Sequence, residues 1–91
     1  MKPTDIIPGK VYTNGKNRFR RVTELHKVGG RIDAHYTAAY RNTKGRMKAT
    51  VPMMGGGDRS GTDSFAAWAI REATAEERAE VLAALNIKEP T

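Results

Sequence analysis

Gly29-Gly30 separates two runs, Arg18 to Val28 and Arg31 to Tyr40, neither of which contains a glycine or a proline. Two glycines tolerate the backbone angles of a tight reversal, so this arrangement predicts a β-hairpin. The second run alternates, with Ile32, Ala34, Tyr36, Ala38 and Tyr40 on one face and Asp33, His35, Thr37 and Ala39 on the other. A period of two is that of a half-buried strand. The hairpin commits the chain to an antiparallel sheet and sets its register. A two-residue turn makes the numbers of opposed residues sum to 59, pairing Leu25 with Ala34, Thr23 with Tyr36, Arg21 with Ala38 and Phe19 with Tyr40 on the expected core face. The wet face then pairs His26 with Asp33, Glu24 with His35, and Val22 with Thr37. A slip of one residue would exchange the faces. Arg21 toward the core and Val22 toward water fit poorly, and a bulge near Val22–Leu25 repairs both.

Flanking segments extend the sheet. Pro8-Gly9 opens a short strand at Lys10-Val11-Tyr12-Thr13, and Asn14-Gly15 turns it into the long run. Asn42-Thr43-Lys44-Gly45 makes a second hairpin into Met47, Ala49 and Val51, which Pro52 ends because it has no N–H to donate. Residues 53–63 contain four glycines among polar residues and read as a mobile loop. Asp63 or Ser64 can cap a helix carrying Phe65, Trp68, Ala69 and Ile70, near 64–72. Thr74-Ala75-Glu76-Glu77 is a capping box for a second helix, near 75–86. With 91 residues the chain supports one core, so residues 1–91 form a single domain. The expected fold is α+β: a small bent antiparallel sheet of four to five strands within 10–52, an SH3-like partial barrel, closed by two short C-terminal helices. Phe65 and Trp68 would plug its open end. An exposed edge strand would make a homodimer easy.

Charge directs the functional reading. The chain nets +6, with an isoelectric point near 10.0. Residues 1–60 hold 13 basic against four acidic side chains, a net of +9, whereas residues 61–91 net −3. The front half therefore attracts polyanions. Lys16, Arg18, Arg20, Arg41, Lys44, Arg46 and Lys48 are the expected nucleic-acid contacts. Tyr12 joins them as the one aromatic expected to be exposed, since the core should consume Phe19, Tyr36, Tyr40, Phe65 and Trp68. With so little stacking surface, phosphate contact is the expected mode, and base specificity is low. The leading expectation is a non-enzymatic binding module for DNA or RNA. The alternative is a protein–protein adaptor or inhibitor of a host protein, acting through the Gly-rich loop and the acidic helix around Glu76, Glu77 and Glu80.

Other constellations are weaker. His26, Asp33, Glu24 and His35 could form a metal or acid–base site, but surface charge pairing accounts for them, and no metal, cofactor or catalytic residue is assigned. Gly55 to Thr62 lacks the Gly-Lys-Ser/Thr ending of a phosphate-binding loop and reads as a linker. Cysteine is absent, no apolar run reaches membrane-span length, and no signal peptide precedes the domain, so a cytoplasmic setting without membrane contact is expected.

Pro8-Gly9-Lys10-Val11-Tyr12, Arg20-Arg21-Val22 and Phe65-x-x-Trp68-Ala69 together resemble small phage- and prophage-type proteins of unknown function. The resemblance implies an SH3-like fold, an accessory role in a phage or mobile element and a host-cytoplasm location. It carries no catalytic residues.

Overall fold

The two long runs form β2 (Arg18–Val28) and β3 (Arg31–Arg41), antiparallel to each other. A computed structural model describes residues 1–50 and 58–87. From the turn the register is the expected one, Val28 opposite Arg31 through His26 opposite Asp33 and Glu24 opposite His35. A bulge then falls between Val22 and Glu24, leaving Thr23 as the extra residue. Beyond it the pairs shift by one, so Val22 faces Tyr36, Arg21 faces Thr37, Phe19 faces Ala39 and Arg18 faces Tyr40. The four pairings expected there, Thr23–Tyr36, Arg21–Ala38, Phe19–Tyr40 and Val22–Thr37, are corrected accordingly.

The bulge also changes which side chains share a face. Val22 joins Ala34 and Tyr36, while Phe19 and Arg21 turn to the opposite side. Consequently there is no single wet face at this end of the sheet. One buried cluster comprises Tyr12, Val22, Ala34, Phe65, Ala66 and Ala69 with Ile6, and the other comprises Val11, Phe19, Ala39 and Val81. Neighbours in sequence, Val11 and Tyr12, are split between the two clusters, as strand alternation requires.

The remaining strands are β1 (Val11–Thr13), β4 (Met47–Ala49), β5 (Asp58–Gly61) and β6 (Arg71–Glu72). The sheet order is β4-β3-β2-β1-β6, with β5 also paired to β3. The sheet is open, and the helices lie on its faces. α1 (Thr62–Trp68) supplies Phe65 to one cluster, and α2 (Ala75–Ala84) supplies Val81 to the other. Closure of a barrel end by both helices is thus corrected to coverage of a sheet on two sides.

Three local expectations also change. Asp58–Gly61, placed in the Gly-rich loop 53–63, is a strand along β3, while residues 51–57 lie outside the described part. Gly61, rather than Asp63 or Ser64, is the N-cap of α1. Arg71–Glu72, assigned to the first helix, pairs with Thr13 and Tyr12 as β6. The second helix starts as expected: Thr74 Oγ1 accepts the Glu77 N–H at 3.2 Å, and Glu77 Oε1 accepts the Thr74 N–H at 2.9 Å. No helix among the described residues is long and apolar enough to cross a membrane.

Candidate nucleic-acid interface

Antiparallel connectivity brings two turns to the same end of the sheet. The β1–β2 turn holds Lys16, and the β3–β4 turn holds Lys44 and Arg46. Each turn is built on an asparagine. Asn14 Oδ1 accepts the Lys16 N–H at 3.0 Å, and Asn42 Oδ1 accepts those of Lys44 and Arg46 at 3.0 and 2.9 Å. Gly15 and Gly45 both adopt φ near +79°, which a side chain would strain. The Arg41 N–H donates to the Asn17 carbonyl at 2.8 Å, tying the turns together.

Next to these turns, one row of paired residues crosses three strands. Arg18 of β2 lies opposite Tyr40 of β3, which lies opposite Lys48 of β4. Paired residues share a face, so the phenol stands between two cations. All three are exposed, Tyr40 at 37%. Neither Arg18 nor Lys48 has a carboxylate within ion-pair distance among the described residues, and the same holds for Lys16, Lys44 and Arg46.

Three expected contact residues serve the fold instead. Tyr12 is corrected from exposed to fully buried: β1 lies inside the sheet between β2 and β6, and α1 covers it. Its hydroxyl donates to the Asp5 carbonyl at 2.8 Å and accepts the Ile7 N–H at 2.8 Å, while burial raises its pKa. Arg20 is half-buried, its Cζ 4.5 Å from the Tyr36 ring centroid and 4.0 Å from that of Trp68. Desolvation lowers its pKa, and an arginine stays charged nonetheless. Arg41 donates from Nη2 to Glu80 Oε2 at 2.5 Å and from Nη1 to the Gly45 carbonyl at 2.9 Å. That bond holds the Arg41 pKa up and the Glu80 pKa down.

The expected eight residues thus divide. Lys16, Arg18, Lys44, Arg46 and Lys48 gather at one end, whereas Tyr12, Arg20 and Arg41 are structural. Sequence reasoning missed Tyr40, which alternation placed with the core. It lies four residues beyond Tyr36, which packs against the Phe65 cluster, on the same face of the same strand. A strand advances about 13 Å over that interval, more than the roughly 10 Å length of a seven-residue helix such as α1.

The acidic helix is engaged internally. Arg71 donates to both carboxylate oxygens of Glu77, at 2.7 and 3.1 Å, which holds Glu77 down to about 2. At the far end of β2 and β3, Glu24, His26 and His35 share a face. Family models, curated proteins and solved structures were compared with the chain, and none matches it.

Proposed function

We propose that this protein is a non-enzymatic binding module that docks nucleic acid with little sequence specificity. The docking surface is the turn end of the sheet: Lys16, Lys44 and Arg46 on the turns, and Arg18 and Lys48 flanking Tyr40. The row Arg18–Tyr40–Lys48 carries this reading. Cations that lack internal acid partners attract phosphates, and an accessible phenol between them offers a base a stacking surface. Because Tyr40 supplies that surface, the reading favours single strands over duplex, where bases are already stacked. The row holds two cations and a phenol and no asparagine, glutamine or carboxylate, so its contacts are phosphate attraction and stacking, which every sequence offers and which supports low specificity. The bulge at Thr23 bends β2, which supports reading the open sheet as a strongly bent one of SH3-like type; the accessory role in a phage or mobile element rests on the sequence resemblance.

The test is an anisotropy titration of a generic single-stranded oligonucleotide and its duplex at ~50 and ~200 mM salt. Five phosphate contacts give log–log salt slopes of about −3.5 on the single strand and about −4.5 on duplex. Absence of binding to either at the lower salt retires the proposal.

A further inference from the structure

We propose that Glu24, His26 and His35 form a binding site for one divalent transition metal of the zinc class, clipping β2 to β3 between the bulge and the Gly29-Gly30 turn. This site is separate from the cationic end and does not rest on nucleic-acid binding. Glu24 and His26 are two apart on one strand and project to one face, and His35 is the cross-strand partner of Glu24. His26 Nε2 lies 2.8 Å and His35 Nδ1 lies 3.9 Å from the same oxygen, Glu24 Oε1. One ligand atom from each residue falls within 4.8 Å of the others. A tetrahedral ion with bonds of about 2.0–2.1 Å holds its ligand atoms roughly 3.3 Å apart, inside that spread, so side-chain rotation alone can seat it.

A simple carboxylate–imidazole hydrogen bond needs one histidine. Here two imidazoles stack, with centroids 4.4 Å apart and an interplanar angle of 23°, and each turns a nitrogen toward the one carboxylate. The donor set is two imidazole nitrogens and one oxygen, which suits zinc, nickel or copper and is too poor in oxygen for calcium or magnesium. Asp33, the neighbouring acid on this face, is held by Arg31 Nε at 3.3 Å and stands outside the set. Glu24 and His26 are exposed and His35 is half-buried, so a bound ion keeps its outer positions toward solvent.

Zinc titrated into the full chain, followed by calorimetry in a non-chelating buffer, should show one saturable ion per chain. Nuclear magnetic resonance should confine the largest shifts to the rings of His26 and His35 and the backbone around Glu24, and the thermal midpoint should rise. Glu24→Gln, His26→Ala and His35→Ala should each weaken binding at least about tenfold, and the double histidine variant should lose it. Equal zinc affinity in that double variant overturns the proposal. So does unmoved histidine resonances in the unaltered protein under excess zinc, a result that depends on no variant folding.

Discussion

The guanidinium of Arg20 lies over the indole of Trp68, 4.0 Å from the ring centroid, and joins β2 to α1. A planar cation on an aromatic face in a partly desolvated site contributes about 0.5–2 kcal/mol. Arg20→Lys keeps the charge and loses the flat stack, so it should destabilise the fold by that order in a urea titration. Its effect on the salt slope of oligonucleotide binding should be negligible, because Arg20 belongs to the core's edge and not to the docking surface.

Glu77 connects β6 to α2, bonded to Arg71 on one strand and to the Thr74 N–H of the capping box. Its pKa falls from 4.5 to about 2, chiefly through the Arg71 bonds. A carboxyl whose folded pKa is depressed adds stability above its unfolded value and surrenders it as pH falls toward the folded one. Denaturation midpoints should therefore drop between about pH 4.5 and 2, and Glu77→Gln should flatten that part of the profile. Thr74→Ala, which removes the other half of the box, should cost about 1 kcal/mol at neutral pH.

Much of this arrangement was legible in the residues themselves. Gly29-Gly30 with its flanking alternation gave the register from Val28 to Glu24, and the mismatch of Arg21 and Val22 located the bulge. Thr74 and Glu77 marked the helix start. What escaped depends on distant partners. Arg71–Glu72 is two residues long, too short for any periodicity, yet pairing it beside β1 helps move Tyr12 inside the sheet. Likewise, the exposure of Tyr40 follows from where α1 lies, which no local pattern encodes. Coverage of both faces follows from the bulge, because the shift that turns Val22 toward the Phe65 cluster also turns Phe19 to the opposite side, with Val81 of α2.

Two clusters on opposite faces should respond independently. Val22 and Val81 are both fully buried, one in each cluster. Val22→Ala and Val81→Ala should each cost about 2 kcal/mol, and the double variant should show their sum within about 0.5 kcal/mol in chemical denaturation. A larger departure would mean that the faces share one core.

Tyr40 distinguishes stacking from plain charge attraction. Tyr40→Ala should weaken single-strand binding by about 1–3 kcal/mol in anisotropy titrations, with the salt slope unchanged. Duplex affinity should move much less, since a paired base offers no free face.

Charge-matched variants test the docking surface most directly. Arg18→Gln with Lys48→Gln removes two charges beside Tyr40, whereas Lys2→Gln with Lys27→Gln removes two exposed charges elsewhere on the protein. With net charge equal, the first pair should make the single-strand salt slope shallower by about 1.4 and weaken binding at every salt, and the second should leave the slope in place. Equal losses from both pairs would contradict a localised docking surface and leave only the overall positive charge to explain binding.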